Sequence, residues 1–406
     1  MSLNDSPKGE RVHIALFGKR NAGKSSIINA LTGQQLAVVS DVKGTTTDPV
    51  YKAMELLPLG PVVFIDTPGL DDEGELGKLR VEKAQEVLRK TDIALLVIDG
   101  AEDASAEDDA LLAQLKARKI PYLVVVNKLD LVKETEAYQK RHPSPDILWV
   151  STQTGEGIHE LKERIATLVP AEEDKFQLVG DLLHPADIVV LVVPIDKAAP
   201  KGRLILPQQQ VIRDVLEADA IAVVTKEYEL RETLASLGKR PRMVITDSQV
   251  FAKVSADVPS DVPLTSFSIL FARYKGDLEE LVRGVRAVER LQDGDTVLIA
   301  EGCTHHRQCD DIGTVKIPRW LQQSTGKKLH FETSSGASFP ADLSRYALVV
   351  HCGGCTLNRR EMQYRLRTVA EKGIPIVNYG ILIASMQGIL KRSVELFPLA
   401  KMELED

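Results

Sequence analysis

Two groups of residues in this 406-residue chain have the types and spacing that chemistry needs. The first is Gly18-Lys-Arg-Asn-Ala-Gly23-Lys24-Ser25, with the spacing G-x-x-x-x-G-K-S. Glycines let a backbone wrap closely around an anion, so that its N–H groups and the following helix N-terminus point at phosphate oxygens. Lys24 would bridge the β- and γ-phosphates and Ser25 would hold Mg²⁺. The second group is the cysteine complement, Cys303, Cys309, Cys352 and Cys355, all placed after residue 300. Three of these cysteines sit in Gly302-Cys303-Thr304-His305-His306 and His351-Cys352-Gly353-Gly354-Cys355, where thiols and imidazoles cluster as soft-metal ligands do.

Each group needs elements to aim it. The apolar run Val12-His-Ile-Ala-Leu-Phe17 reads as a strand leading into the glycine loop, and Ser26-Ile-Ile-Asn-Ala-Leu31 as the helix leaving it. A second strand, Val62–Ile65, delivers Asp66-Thr67-Pro68-Gly69. There an acid suits water-mediated Mg²⁺ binding and the Gly69 N–H can sense the γ-phosphate. Between them Lys43-Gly-Thr-Thr-Thr-Asp48 forms a polar loop that closes over the nucleotide through Thr45 and Thr46, with Thr46 completing the Mg²⁺ shell. Two further apolar strands follow, Ile93–Ile98 and Tyr122–Val126, and the second runs into Asn127-Lys128-Leu129-Asp130. The Asp130 carboxylate can accept two N–H bonds that guanine offers and adenine does not. Leu148–Val150 then leads to Ser151 and Thr152 as a last contact with the base. Alternating strands and helices imply a parallel sheet with the nucleotide at the carboxyl edge of its strands.

After the polar stretch Glu172–Lys175 the pattern restarts. Asp187–Pro194, Ala220–Thr225 and Met243–Thr246 read as strands, with a helix from Gln208 to Leu216. His184, just before Pro185, reads as a turn residue. A small sheet of this kind has an edge to cover, and dimerisation is one way to cover it. Beyond Leu264 come a helical stretch, Asp277–Glu289, and two strands, Thr296–Ala300 and Tyr346–Val350. These two strands deliver the two cysteine stations, and in a parallel sheet their ends lie side by side. Cys303, His305, Cys352 and Cys355 suit a closed tetrahedral Zn²⁺ site. Three cysteines equally hold three irons of a [4Fe–4S] cube, with the fourth iron left to a histidine, a carboxylate or an outside ligand. The donor chemistry alone leaves both open, along with buried structural thiols and a thioredoxin-like redox pair.

Composition bounds the function classes. Hydrophobic residues make up 44% and charged residues 27%, an ordinary globular balance. A net charge of −7 argues against broad binding to nucleic acid or an anionic membrane. No apolar run approaches the roughly 20 residues of a spanning helix. The N-terminal Met1–Glu10 has no apolar signal core, so a cytoplasmic protein is expected, and in that reducing compartment cysteines suggest metal or catalysis before disulfides.

The ordered set of five nucleotide motifs resembles the small GTPases, specifically the TrmE/Era-like branch, over roughly the first 170 residues. Gly18, Asn21, Ala22, Gly23, Lys24, Ser25 and Ser26 then form the phosphate cradle, and Asn127, Lys128, Asp130, Ser151 and Thr152 the guanine site. By that resemblance Asn21 occupies the K⁺-binding position of potassium-activated members. Leu70 stands where a Ras-like enzyme carries its water-orienting glutamine, so slow, K⁺-activated hydrolysis is expected from Lys24, Asn21, Thr46, Asp66 and Gly69. The last motif departs from the usual Ser-Ala-Lys, reading Ser151-Thr152-Gln153, which puts tight nucleotide binding in doubt.

Joined to such a GTPase, Cys-x-His followed after a gap by His-Cys-x-x-Cys resembles the HydF family of [FeFe]-hydrogenase maturation GTPases across the whole chain. The resemblance implies an α/β protein with a GTPase domain at 8–172, a small dimerisation domain at 178–265 and a cluster-binding domain at 266–406. It implies a [4Fe–4S] cluster on Cys303, Cys352 and Cys355. His305 and His351 would be ligands or neighbours, and Asp310 or Asp311 could supply the exchangeable ligand. It further implies a homodimeric scaffold, without nucleic acid or membrane, that takes a di-iron precursor from radical-SAM maturases and passes it to apo-[FeFe]-hydrogenase. Two rivals stand beside it: a GTPase of RNA modification or ribosome assembly with a structural zinc, and a metallochaperone-type GTPase delivering a bare metal ion.

Overall fold

A computed structural model describes residues 8–33, 48–69, 75–102, 106–132, 146–168, 177–195, 204–302, 311–336 and 338–405. The chain divides into two compact units, Met1–Glu173 and Asp174–Asp406.

The first unit is built on six strands: β1 (Val12–Phe17), β2 (Val50–Leu56), β3 (Gly60–Asp66), β4 (Ile93–Asp99), β5 (Tyr122–Asn127) and β6 (Ile147–Trp149). Their order is β2-β3-β1-β4-β5-β6, parallel except for β2, which runs antiparallel to β3 at the edge. The central strands are apolar on both faces because helices cover both. Ile14 and Leu16 face a core shared with Ile27, Leu31 and Ile165, while Ala15 and Phe17 face the opposite core with Val87 and Leu115. An all-parallel sheet was the sequence expectation, and β2 departs from it. Its burial alternates residue by residue, exposing Tyr51, Ala53 and Glu55, so it lacks the apolar run that marks the buried strands.

The second unit carries two four-stranded parallel sheets. Strands β7 (Ile188–Val192), β8 (Ile221–Thr225), β9 (Met243–Thr246) and β10 (Leu264–Ser266) form one, in the order β10-β9-β7-β8. Strands β11 (Thr296–Glu301), β12 (His330–Ser335), β13 (Tyr346–His351) and β14 (Ile376–Asn378) form the other, in the order β12-β11-β13-β14. Taken in chain order, both sheets place the second strand, first, third and fourth side by side. One continuous apolar core runs through both. Their carboxyl edges meet: Ser268, two residues past β10, donates to Asn378 Oδ1 at the end of β14 at 2.9 Å. Arg392 ties the halves further, its guanidinium donating to the carbonyls of Ser255, Val258 and Pro259.

Two departures from the sequence reading have clear causes. Leu264–Ser266 is the fourth strand of the first of these sheets, too short for its period to show. The helix expected over 277–289 is α-helical only at Leu278–Arg283 and continues as a 3₁₀ turn over Gly284–Arg290. A Cβ at Gly284 would lie 1.9 Å from the Ile376 carbonyl oxygen, so this turn presses directly on β14.

Candidate functional site

The glycine loop follows β1 and opens the helix Lys24–Thr32, the strand-loop-helix context that the motif requires. Gly18 has φ +136°, and a Cβ there would lie 2.1 Å from the Val97 carbonyl oxygen on β4. Gly23 has φ +93°, and a Cβ there would strike the Asn127 side chain. These are close approaches that only glycine permits. Asn21, at the exposed tip, takes φ 60°, a conformation its short side chain tolerates. Lys24 is buried and its Nζ donates to the carbonyls of Gly18 and Lys19 at 3.0 and 2.7 Å, spanning the loop.

Side chains from distant motifs converge here. Ser25 Oγ donates to Asp66 Oδ2 at 2.5 Å, so the two expected Mg²⁺-binding oxygens are in contact. Burial pushes the Asp66 carboxyl up, against the opposing effects of the Ser25 hydrogen bond and the Lys24 charge. A desolvated carboxylate next to a hydroxyl suits a hard divalent cation. Asn127 Nδ2 donates to the Ala22 carbonyl at 3.1 Å and its Oδ1 accepts from Thr152 N at 3.3 Å, linking the phosphate loop to the last motif. Ser151 Oγ donates to Asp130 Oδ1 at 2.5 Å, which fixes the carboxylate meant for guanine. Ser26, Gly69 and Lys128 lie within the described residues, and Lys128 Nζ contacts Asp99 at 2.5 Å. Asp99 was missed by the sequence reading; its signal is an acid ending an apolar strand. Thr45, Thr46 and Leu70 lie outside the described residues.

The cysteine stations sit at the carboxyl ends of paired strands. Ala300 on β11 is in register with His351 on β13, so Gly302 and Cys352 emerge side by side. Gly302 N donates to Cys352 Sγ at 3.0 Å and Gly354 N to the same sulfur at 3.4 Å. Gly354 takes φ +62°, turning the chain so that Cys352 and Cys355 flank one loop. Main-chain N–H groups aimed at sulfur favour its anionic form, the form a metal needs. Burial pushes the Cys355 thiol up, and the nearby Lys275 ammonium opposes that effect. Cys303, His305, Cys309 and Asp310 lie outside the described residues. Among the described residues no three His, Cys, Asp or Glu side chains form a metal-binding group.

Two expected ligands are otherwise engaged. His351 is fully buried, with Nδ1 2.7 Å from the Cys352 carbonyl oxygen and Nε2 3.3 Å from Arg365 Nη1. A carbonyl only accepts, so Nδ1 carries the proton and Nε2 accepts from Arg365. Burial, with the Arg365 charge, lowers its pKa to about 3, which keeps the ring neutral. Both nitrogens have protein partners, so as placed here His351 supports the Cys352 main chain, the neighbour role of the two expected for it. Asp311 Oδ2 accepts from Thr314 N and Oγ1, both at 2.8 Å, capping the turn that follows it.

Other residues around the cysteines were not legible in the sequence. Glu301 ends β11 with 2% exposure, and Tyr379 Oη donates to its Oε1 at 3.4 Å. Burial pushes the Tyr379 hydroxyl well up, helped by the negative charge of Cys352 and Glu301. Lys275 is 1% exposed and donates from Nζ to the carbonyls of Cys355 and Leu357 at 3.2 and 2.8 Å. Arg365 Nε pairs with Glu361 Oε1 at 2.9 Å behind His351. For Glu301 a signal existed: a charge closing an apolar strand directly before Gly302-Cys303.

Comparison with known proteins gives three matches along the chain. Residues 13–128 match the 50S ribosome-binding GTPase domain, 178–276 the hydrogen maturase F dimerization domain and 279–396 the hydrogen maturase F tetramerization domain. The tRNA modification GTPase MnmE of Heliobacterium modesticaldum is 37% identical over 162 residues, covering 39% of this chain and 34% of that protein. GTPase Era of Geobacter sp. strain M21 is 32% identical over 164 residues, covering 39% of this chain and 55% of its own. GTPase Der of Xanthomonas campestris pv. campestris is 31% identical over 245 residues, covering 57% and 51%. The chain therefore spans between a third and just over half of these relatives. Among solved structures, a variant of Aquifex aeolicus Era bound to GDP.AlF4- is 21% identical, covering 56% of this chain and 98% of that one at a TM-score of 0.36.

Proposed function

From a chain that belongs to the hydrogen maturase F family, with a GTPase domain before the family's two assembly domains, we propose a GTP-hydrolysing scaffold that carries a [4Fe–4S] cluster and hands on a di-iron precursor. The observation that carries this reading is the pairing of β11 with β13, which brings the Cys352-Gly-Gly-Cys355 turn beside the chain leading into Cys303. Two N–H groups aimed at Cys352 Sγ and a buried ammonium next to Cys355 fit an anionic iron–sulfur group. Cys303, Cys352 and Cys355 would hold it. When bound, such a cluster offers one iron whose fourth ligand can exchange, a place for an incoming precursor. The precursor is cargo, received from radical-SAM maturases and released to apo-[FeFe]-hydrogenase.

In the GTPase domain Lys24 would neutralise charge that develops on the β- and γ-phosphates, Ser25, Asp66 and Thr46 would hold Mg²⁺, and Asp130 would select guanine. Asn21 would hold K⁺, whose charge would stand in for the glutamine that position 70 lacks. Nucleotide turnover would serve as a switch that governs partner exchange. Assembly as a homodimer runs through β8, an edge strand of the dimerization domain that exposes Ile221 and Val224 at 48% and 47%. Among the described residues no helix is long and apolar enough to cross a membrane.

The test is iron and acid-labile sulfide per chain after anaerobic reconstitution, with EPR of the dithionite-reduced protein. About four of each, with the signal lost in Cys303→Ala, is the expected result. One zinc without sulfide or signal would leave a GTPase with a structural metal, and the hydrogenase role would fall.

A further inference from the structure

The cysteine turn does not belong to one domain alone. A charged neighbour, Lys275, ends the helix Phe267–Lys275, which lies inside the segment matching the dimerization domain, whereas Cys352 and Cys355 lie in the segment matching the tetramerization domain. That helix begins at Ser266, whose Oγ caps Ile269 N, and its first turn faces the same loop. A Cβ at Gly353 would lie 3.6 Å from Ser268 Oγ. One helix of nine residues thus touches the turn at both ends, with Ser268 against Gly353 and Lys275 on the carbonyls of Cys355 and Leu357.

Lys275 Nζ lies 5.4 Å from the Phe271 ring centroid. Gln363 Nε2 donates to the carbonyls of Lys275 and Gly276 at 3.2 and 2.8 Å, which fixes the helix end that carries the ammonium. An ammonium at 1% exposure acts through a low-dielectric interior, where its field falls off far less than in water.

We propose that Lys275 is a positioning residue and built-in counter-charge for an anionic iron–sulfur group at Cys352 and Cys355, contributed by the dimerization domain to a site otherwise built on the tetramerization domain. This rests on the cluster reading above. Two effects follow. The ammonium pins the main chain of Cys355 and Leu357, and so sets where the second thiolate points. It also favours the reduced cluster, which carries one more negative charge, so it raises the reduction potential.

The experiment reconstitutes the full chain and three variants, Lys275→Gln, Lys275→Met and Gln363→Ala. Iron, sulfide and the midpoint potential are measured by EPR-monitored titration. Lys275→Gln keeps a donor for one carbonyl and loses the charge, so it carries the measurement if Lys275→Met does not fold. The expected result is a reduction equilibrium about tenfold less favourable in both lysine variants, a potential lower by about 59 mV for one electron. Gln363→Ala, which loosens the helix end and keeps the ammonium, should hold the parent potential. A parent potential in Lys275→Gln with full iron content would overturn the proposal. Equal loss of iron from all three variants would also overturn it, reducing Lys275 to a packing residue. Absence of iron from the parent chain would instead overturn the cluster reading itself, which separates the two failures.

Discussion

The nucleotide site and the cysteine site are assembled by opposite means. In the first, the groups that do the chemistry hold one another: Ser25 on Asp66, Ser151 on Asp130 and Asn127 on both the Ala22 carbonyl and the Thr152 N–H. In the second, the sulfurs are held by main-chain groups and by residues far away in sequence. Gly302 N and Gly354 N reach Cys352, His351 braces the Cys352 carbonyl, and Lys275 arrives from another element. The nucleotide side chains lock to one another across motifs that lie far apart in the chain. A sulfur site of this sort is a property of the whole unit that surrounds it.

The sharpest way to test that contrast is to disturb the unit behind the cysteines. Arg365 and Glu361 are 0% and 2% exposed as side chains, and Arg365 also reaches His351 and the Gly336 carbonyl. Arg365→Met leaves a buried carboxylate without its partner and should cost about 3–5 kcal/mol of unfolding free energy. Urea titration followed by near-UV CD checks this, and GTP hydrolysis at low urea should be untouched. An unfolding midpoint equal to that of the parent would sink the claim that this network holds the site. The converse disturbance is Lys24→Ala, which should lower GTP turnover about 10²–10³-fold with iron and sulfide content unchanged. The parent should turn over faster in KCl than in NaCl, and equal rates would remove Asn21 from the mechanism. Loss of iron in Lys24→Ala would break the comparison outright. The smallest effect is expected at the β8 edge. Ile221→Lys should weaken self-association about tenfold by sedimentation velocity, since a charge blunts an exposed edge, while both sites keep their activity.

The same contrast explains what could be read from the sequence. Strands buried on both faces, such as β1, β4, β5, β11 and β13, announce themselves as unbroken apolar runs. Three edge strands did not: β2 alternates, β10 has three residues, and β12 reads His-Phe-Glu-Thr-Ser-Ser. Their place is decided by pairing, which leaves little mark on local composition. The nucleotide groups were legible because each motif is contiguous and its residues act together. The two cysteine stations were legible as residue types, and the structure adds the register that aligns Ala300 with His351. Lys275, Tyr379 and Arg365 were not legible, because what makes them matter is burial against the turn. Nothing adjacent in the chain records that. For His351 the sequence left ligand and neighbour open, and the structure adds the partners of its two nitrogens.

The N–H groups aimed at Cys352 carry an evolutionary consequence. They belong to the main chain, so no change of side chain removes them, short of proline, which has no N–H to give. Gly302 has little freedom of its own, because a Cβ there would lie 2.8 Å from the Leu357 side chain. The innermost layer around the sulfur is therefore insulated from mutational drift, while the outer layer of charges remains open to it. Lineages could retune such a centre by exchanging a lysine or a glutamate without dismantling the cradle, much as an instrument is retuned without rebuilding its frame.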